Sequence, residues 1–288
     1  MEENWTILKV LQWTAGYFAR KGIEQPRANA EVLLAHVLGR ERIELYLNYD
    51  QPLTPDELSR YRDAVRRRTS REPVQYITQK QEFWSLEFEV SPAVLIPRPE
   101  TELLVEKALE LFPSAPARVL DLGTGSGAIA VVLARERPLW SVFASDRSPD
   151  ALDVARRNAL RHGVIDRISF LAMDLFVGFS PSRCSFDLII SNPPYIGERE
   201  FPGLPPEIAG HEPEAALRGG GAEGLDIIRR ILGEAPSYLS TGGSMLLEIG
   251  LGQAETLQNE LADNPHFEDY RFFSDYSGIL RILYLHRN

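Results

Sequence analysis

A run of nine residues, 119–127, limits the possible folds more than any other part of the chain. It has the sequence Val-Leu-Asp-Leu-Gly-Thr-Gly-Ser-Gly, so an apolar strand pattern leads directly into three alternating glycines. Glycine permits a tight turn and lets a ligand approach the backbone closely. A helical pattern follows, and the unpaired N–H groups at a helix start can face a bound ligand. These residues predict a strand, a ligand-binding loop and a helix that belong to a parallel α/β sheet.

Strand patterns and helical patterns alternate along this part of the chain, as they do in parallel sheets with crossover helices. Strands are predicted at 118–122, 141–145, 168–172 and 186–191, with helices at 127–137 and 149–162. Later strands are predicted at 243–249, 270–274 and 279–286. Because only four residues separate the last two, they are expected to be antiparallel, and the parallel sheet is expected to end in an antiparallel strand.

The first 75 or so residues carry helical patterns instead. Apolar residues recur at helical spacing over 8–18 and 30–38, and Thr54-Pro55-Asp56-Glu57 has the composition of a capped helix start. The helix that follows carries Arg60, Arg62, Arg66, Arg67, Arg68 and Arg71. Such a series is either a solvated face or a docking surface for an acidic or RNA-bearing partner.

Residues 82–96 differ from the regions on either side. Their apolar residues, over 83–90 and again over 94–96, predict two short strands that join two domains. Pro97-Arg98-Pro99 then ends any strand, because proline has no N–H to donate, and Glu100-Thr101-Glu102 begins a helix.

Three acids lie where they can contact a ligand of the glycine loop. Asp121 precedes the glycines on the strand, where it can meet an amino-bearing or positively charged group. Asp146 follows the next strand, where a carboxylate accepts from both ribose hydroxyls, unless it only caps the turn before Ser148-Pro149. Asp174 ends the third strand, where it either accepts from an adenine amine or caps a turn. The glycines stand closer together than in the dinucleotide fingerprint, which disfavours a nicotinamide dehydrogenase.

The tetrapeptide Asn192-Pro193-Pro194-Tyr195 ends the fourth predicted strand abruptly. Its prolines are stiff and donate no N–H, while their carbonyls can accept. The Asn192 side-chain oxygen and the Pro193 carbonyl can each accept one N–H of a planar –NH2 group, which directs the nitrogen lone pair toward a methyl donor. Tyr195 is expected to stack on that flat group. By itself the tetrapeptide also fits a plain turn, since Asn-Pro begins many turns.

The position of the tetrapeptide favours the chemical interpretation, because ligands of an open parallel sheet bind at the carboxyl ends of its strands. Glycine loop and tetrapeptide are both predicted there. Together they indicate an S-adenosylmethionine-dependent methyltransferase that acts on a planar amide or amino nitrogen. The presence of both sites on one sheet disfavours a non-catalytic nucleotide-binding protein.

The distribution of charge bears on the acceptor. The formal net charge of −10 divides into +2 over residues 1–80 and −12 over the remainder. An acidic catalytic region is poorly suited to a phosphate backbone, so adenine N6 or guanine N2 of a nucleic acid is the less favoured acceptor. A single cysteine, Cys184, fits a reducing cytoplasm, and no stretch approaches the roughly 20 apolar residues of a membrane span. No metal site is predicted.

The chain resembles the HemK/PrmC family of peptide chain release factor glutamine methyltransferases over essentially its whole length. The segments that carry the resemblance are Glu72-Pro73-Val74-Gln75-Tyr76-Ile77, Val94-Leu95-Ile96-Pro97-Arg98-Pro99-Glu100-Thr101-Glu102, the glycine loop, Asn192-Pro193-Pro194-Tyr195-Ile196, Glu212-Pro213 with Ala216-Leu217, Gly224-Leu225-Asp226 and Leu247-Glu248-Ile249-Gly250. Ribosomal-protein glutamine methyltransferases share the tetrapeptide, but the Ile-Pro-Arg-Pro-Glu-Thr-Glu segment resembles the release-factor branch. Gln79-Lys80 and Leu175 depart from the family's pattern.

This resemblance implies N5-methylation of the glutamine in the Gly-Gly-Gln loop of release factors, with S-adenosylmethionine as methyl donor. It implies a helical substrate-recognition domain over 1–80, a β-hairpin linker over 81–98 and a methyltransferase domain over 99–288. The fold class expected for the last is α/β, a seven-stranded, doubly wound, mostly parallel sheet of the class I, Rossmann-like type. A cytoplasmic monomer with no direct nucleic-acid substrate and no membrane association is expected.

Three sets of site residues follow from the motifs and the resemblance. The catalytic residues are predicted to be Asn192, Pro193, Pro194 and Tyr195. The cofactor-binding residues are predicted to be Gly123, Thr124, Gly125, Ser126, Gly127, Asp146, Asp174, Leu175 and Asn192. The substrate-binding residues are predicted to be the same tetrapeptide and Arg98, whose alternative role is to brace two domains.

Overall fold

The computed structural model describes residues 5–112, 114–182, 184–262 and 264–287. They form two compact units. The first contains the residues up to Gln79 together with Pro205–His211, and the second contains Lys80–Leu204 and the residues from Glu212 onward. A short segment from the second half of the chain therefore belongs to the unit that is formed mainly by the first 79 residues.

The first unit is helical, as expected. Its helices are α1 (Ile7–Arg20), α2 (Pro26–Leu38), α3 (Arg42–Leu47), α4 (Pro55–Thr69) and α5 (Val74–Thr78). Phe18, Leu33 and Leu34 are fully buried in the core between them. The predicted cap of α4 is present, because the Thr54 hydroxyl accepts from Glu57 N at 3.3 Å and Glu57 Oε2 accepts from Thr54 N at 2.7 Å.

A two-stranded hairpin begins the second unit. Its strands are β1 (Lys80–Phe83) and β2 (Leu86–Glu89), which pair antiparallel. The strand predicted over 94–96 is therefore wrong. Trp84 and Ser85 form the connecting turn with φ values of 55° and 56°, a conformation in which Asn-Gly is the usual sequence. Glu102 Oε1 accepts from Trp84 N at 2.7 Å, so this N–H of the turn has a partner.

A seven-stranded sheet forms the centre of the second unit. Its strands are β3 (Arg118–Leu122), β4 (Ser141–Asp146), β5 (Ile168–Ala172), β6 (Phe186–Ser191), β7 (Leu239–Glu248), β8 (Phe267–Ser274) and β9 (Leu280–Arg287). Their order is β5-β4-β3-β6-β7-β9-β8, and β9 is antiparallel to both its neighbours. The mostly parallel sheet is confirmed, but the antiparallel strand does not end it. The short turn after β8 can lead only to an adjacent antiparallel strand, and β9 occupies the position between β7 and the edge strand β8.

Helices cover both faces of this sheet, which makes it doubly wound. The helices of this unit are α6 (Pro99–Leu111), α7 (Ala128–Glu136), α8 (Pro149–Arg161), α10 (Glu214–Leu217), α11 (Asp226–Glu234) and α12 (Gln253–Leu261), with single 3-10 turns at 165–167, 201–203 and 235–237. Helix α9 (Pro206–His211) lies in the segment that belongs to the first unit. Alternate residues of β6 enter different cores: Leu188 and Ile190 pack on one face and Ile189 on the other. Among the described residues no helix is long and apolar enough to cross a membrane.

Helix α9 belongs to the first unit, where Glu207 pairs with two arginines. Its Oε1 accepts from Arg68 at 3.1 Å and from Arg71 at 3.3 Å. The Arg68 side chain is only 8% exposed and also donates to Asn29 Oδ1 at 2.8 Å and to the Glu72 carbonyl at 3.2 Å. Arg68 therefore lies neither on a solvated face nor on an open docking surface, although both were considered for the arginines of this helix.

Replacing Glu207 by glutamine is expected to destabilise the first unit, because it removes the charge opposite the buried guanidinium of Arg68. We expect the free energy of opening α4 to fall by about 1–3 kcal/mol, since Asn29 and Glu72 still accept from that guanidinium. Amide hydrogen exchange of the α4 backbone measures this loss directly.

Asp63→Asn is the matched control. It removes an exposed partner of Arg66 on the same helix, where the two side chains are 62% and 79% exposed. A change below about 0.5 kcal/mol is expected there. Equal losses in the two variants would contradict the role assigned to Glu207.

Candidate active site

The two motifs meet because the strands that precede them pair directly. β3 and β6 are parallel, and Leu122 is the register partner of Ser191. Gly123 and Asn192, the next residues on each strand, therefore leave the sheet side by side. The Ser191 hydroxyl donates to the Leu122 carbonyl at 2.7 Å, which satisfies a buried acceptor at the point where the strands diverge.

A cavity of about 850 Å³ lies at this edge of the sheet, within the size range of small-molecule sites. Segments 92–97 and 213–218 contribute to its wall. Nine of the predicted site residues line it: Gly123, Thr124, Gly125, Ser126, Asp146, Asp174, Leu175, Asn192 and Pro194. Gly127, Pro193, Tyr195 and Arg98 are not among the described residues that line it.

Asp146 holds the glycine loop and also caps the next turn. Its Oδ2 accepts from Gly125 N at 2.9 Å, and its Oδ1 accepts from Ser148 N at 2.9 Å. The two oxygens of a carboxylate offer about four acceptor positions, so the group retains capacity for ligand hydroxyls. The capping role is thus present, and it leaves the predicted ribose role available.

The glycines of the loop differ in what they do. Gly123 and Gly125 have φ values of 71° and 54° and line the cavity, where side chains would be strained. Gly127 has a φ of 80° and precedes α7, and a Cβ built there would stand 3.0 Å from the Ala155 Cβ. The absence of a side chain at Gly127 therefore allows α7 to pack closely against α8.

Asp121 lies beneath the loop rather than in the cavity wall. It is fully buried and accepts from the Thr124 hydroxyl at 2.6 Å. Burial raises the pKa of its carboxyl to about 7. The structure gives Asp121 a contact to the loop itself, in place of the ligand contact that its sequence position suggested.

Asp174 and Leu175 also line the cavity. Asp174 Oδ2 accepts from Arg230 at 3.0 Å, a partner that lies 56 residues away and was not predicted. Leu175 has a φ of 48°, which a branched side chain rarely adopts. Such strain is common at binding sites.

Asn192 is the first member of a buried hydrogen-bond chain. Its side-chain nitrogen donates to Thr101 Oγ1 at 3.0 Å, and the Thr101 hydroxyl donates to Glu248 Oε2 at 2.7 Å. The Tyr195 hydroxyl donates to Glu248 Oε1 at 3.2 Å. Burial raises the pKa of Glu248 to about 7, and burial together with the Glu248 charge raises the pKa of Tyr195. Neither Thr101 nor Glu248 was assigned a role from sequence.

A second set of contacts holds the backbone of the tetrapeptide. Gln253 Nε2 donates to the Tyr195 carbonyl at 2.9 Å, and Gln253 Oε1 accepts from Gly250 N at 2.7 Å. Segment 217–224 packs on the same backbone so closely that only glycine fits at two positions. A Cβ at Gly219 would stand 2.8 Å from the Pro194 carbonyl oxygen, and one at Gly224 would stand 2.1 Å from that of Tyr195.

Arg98 pairs with an acid of its own unit. Its Nη2 donates to Glu212 Oε1 at 2.5 Å, and Glu212 Oε2 accepts from Ile96 N at 3.3 Å. The buried Glu212 thus joins the segment before α6 to the segment that carries α10. Arg98, predicted to bind substrate, is thus paired with Glu212, which the resemblance marked only as part of the Glu212-Pro213 segment.

No group of three or more His, Cys, Asp or Glu side chains in the described parts of the chain is arranged to hold a metal ion.

Comparisons with known proteins agree with this architecture. The family model for the PrmC N-terminal domain matches residues 9–78, and that for the methyltransferase small domain matches residues 99–202. A release factor glutamine methyltransferase of Geobacter sulfurreducens is 48% identical over 98% of this chain and 96% of its own. The chain belongs to the release factor glutamine methyltransferase family. Two further relatives of the same name support this. The one from Chlorobaculum tepidum is 42% identical over 97% of each chain, and the one from Escherichia coli is 43% identical over 88% of this chain and 90% of its own.

Solved structures place the family's catalytic unit within a wider group of methyltransferase folds. A methyltransferase from Pyrococcus furiosus superposes with a TM-score of 0.52 at 20% identity, over 71% of this chain and 90% of its own. The T. thermophilus 16S rRNA N2 G1207 methyltransferase, solved with AdoMet and guanosine, superposes with a TM-score of 0.54 at 20% identity, over 73% of this chain and 50% of its own. At these identities the likeness shows the fold alone, and it confirms the Rossmann-like class.

Asp121 is expected to make this family member less stable as pH rises from about 4 to 7. The pKa of the carboxyl is near 3.8 in an unfolded chain and about 7 in the folded protein. Between these values the folded state binds more protons, so the free energy of unfolding falls as pH rises and levels off above about pH 7. Asp121→Asn should remove this contribution, shifting stability in favour of the variant by on the order of a few kcal/mol across that range.

Chemical denaturation of both proteins at several pH values measures the difference. Glu248 contributes in the same direction in both, so it cancels from the comparison. Asp153→Asn, which alters an exposed acid on α8, should leave the pH dependence unchanged. A pH-independent difference between Asp121→Asn and the wild type would contradict the prediction.

Proposed function

We propose that this protein transfers a methyl group from S-adenosylmethionine to the side-chain amide nitrogen, N5, of the glutamine in the Gly-Gly-Gln loop of peptide chain release factors. The observation that carries the proposal is the pairing of Leu122 with Ser191, which brings Asn192 next to the glycine loop. Relatives that are 39–48% identical over most of the chain bear the name release factor glutamine methyltransferase.

The cavity wall fits S-adenosylmethionine by size and by chemistry. A loop in which Gly123 and Gly125 have positive φ lets the ligand lie against the backbone, as it must in a Rossmann-like unit. In our proposal Asp146, which lines the cavity, accepts from the ribose hydroxyls, and Asp174 with Leu175 contacts the adenine. When bound, S-adenosylmethionine supplies an electrophilic methyl group on its sulfonium sulfur.

The acceptor side of the site must activate a poor nucleophile, because the lone pair of an amide nitrogen is delocalised. In our proposal the Asn192 side-chain oxygen and the Pro193 carbonyl each accept one N–H of the glutamine amide. This fixes the direction of the lone pair and favours a pyramidal nitrogen, so the rate comes from orientation and electrostatics rather than from a strong base.

Tyr195 contributes its ring to this arrangement rather than a proton. Its hydroxyl is occupied by Glu248 at 3.2 Å, and its raised pKa keeps it protonated at neutral pH. We propose that the ring face supports the flat amide group while the Glu248 contact holds the end of the tetrapeptide.

The direct test offers the purified protein methyl-labelled S-adenosylmethionine together with a release factor, ribosomal proteins or total RNA in separate reactions. We expect label in the release factor, on the Gly-Gly-Gln glutamine as located by peptide mass analysis. Label in ribosomal protein or RNA, with none in the release factor, would overturn the proposed substrate in favour of one of those two acceptors.

Asn192→Ala tests the residue assigned to the acceptor. Because an aligned acceptor group is lost, kcat is expected to fall by about 10²- to 10³-fold. Binding of S-adenosylmethionine, measured by calorimetry, should change far less than kcat. Asn48→Ala, at the end of α3 in the first unit, is the control and should retain the wild-type kcat. A variant at position 192 with full methyl transfer would contradict the assignment.

A further inference from the structure

Thr101 stands between Asn192 and Glu248 and contacts both. It is 4% exposed, and its single hydroxyl accepts from Asn192 Nδ2 at 3.0 Å while donating to Glu248 Oε2 at 2.7 Å. Glu248 is 1% exposed, and its second oxygen is occupied by the Tyr195 hydroxyl at 3.2 Å. Every group in this hydrogen-bond chain is therefore held by a neighbour inside the protein.

The chemistry of the four groups gives the chain a direction. Thr101 and Tyr195 both donate their hydroxyl hydrogens to Glu248. Above the pKa of about 7 that burial gives it, the Glu248 carboxylate is ionised and only accepts, which fixes this direction. A hydroxyl has one hydrogen, and with that hydrogen used, Thr101 can only accept from Asn192. The Asn192 amide must then present its –NH2 to Thr101. Its oxygen is left for the cavity, which Asn192 lines.

We propose that Thr101 is a positioning residue that, together with Glu248, fixes the Asn192 side-chain amide with its oxygen toward the methyl acceptor. This inference rests on the proposed function, in which that oxygen accepts an N–H of the substrate amide. An asparagine amide can turn over by rotation about its last side-chain bond at little steric cost, since oxygen and nitrogen are nearly the same size. The turned-over Asn192 amide would present its own –NH2 to the –NH2 of the substrate, and two donors cannot form a hydrogen bond with each other.

A helix start and a strand end carry these residues. Thr101 lies in the first turn of α6, where its N–H donates to the Arg98 carbonyl at 3.1 Å. Glu248 is the last residue of β7, immediately after Leu247, the register partner of Ser191. The start of α6 and the end of β7 thus set the distances between the Thr101 hydroxyl, the Glu248 carboxylate and the Asn192 amide before any substrate binds.

The test compares two substitutions of Thr101. Thr101→Val keeps the shape and removes the hydroxyl, so the Asn192 amide loses its orientation. We expect kcat for methylation of a release factor to fall by about 10- to 100-fold, with the KM for S-adenosylmethionine changed less than about threefold. Thr101→Ser restores the hydroxyl and is expected to recover most of the rate. Thr78→Val, which removes a buried hydroxyl in the first unit, is the matched control for loss of a threonine hydroxyl and should keep the wild-type kcat.

A second measurement follows the amide itself and does not depend on activity. In protein with ¹⁵N-labelled asparagine, the side-chain –NH2 signals of Asn192 are identified by their absence in Asn192→Ala. We expect one of these hydrogens to exchange slowly with water in the wild type and in Thr101→Ser, because it is bonded to a buried hydroxyl. In Thr101→Val that protection should be lost.

The two measurements separate failure of this inference from failure of the proposed function. A wild-type protein that methylates release factor, with Thr101→Val equally active or equally protected at Asn192, would overturn the positioning role. The other outcome is that the wild-type protein leaves release factor unlabelled, while protection at Asn192 is present in the wild type and lost in Thr101→Val. That result would overturn the proposed substrate and retain the role of Thr101.

Discussion

The parallel pairing of β3 with β6 is the constraint on which the rest of the site depends. Parallel neighbours end at the same edge of a sheet, so the loop after Leu122 and the tetrapeptide after Ser191 diverge from one point. The Ser191 hydroxyl closes that point by binding the Leu122 carbonyl. The glycine loop and the tetrapeptide, which are distant in sequence, thereby share one cavity wall without any long side chain to connect them.

The tetrapeptide is held from two sides before a substrate arrives. Gln253 and the glycines of segment 217–224 fix its backbone, and Thr101 with Glu248 fixes its polar side chains. In the proposed reaction this matters, because the amide nitrogen is a weak nucleophile and the reacting groups are then oriented during folding rather than at the moment of reaction. Rigidity here is also consistent with prolines at the two central positions.

Features set by local sequence could be predicted, and those set by distant partners could not. The glycine loop, the α4 cap and the strand end at Asn192 each depend on a few neighbouring residues. The Thr101–Glu248 contact joins residues 147 positions apart, and a threonine in a helix start carries no sign of its partner. The position of β9 in the sheet depends on its pairing with β7 and β8, which the local sequence of β9 does not specify. The hairpin turn at Trp84 and Ser85 was missed because its residues lack the usual asparagine and glycine.

The segment Pro205–His211 has a consequence for how this architecture can be divided or recombined. The chain passes between the two units at residues 79–80, 204–205 and 211–212, so neither unit is a single continuous stretch of sequence. A gene fragment that begins at residue 80 would encode α9 without Arg68 and Arg71, the arginines that bind Glu207. Exchange of the helical unit between family members, in evolution or in the laboratory, must therefore move two separate pieces of the gene together.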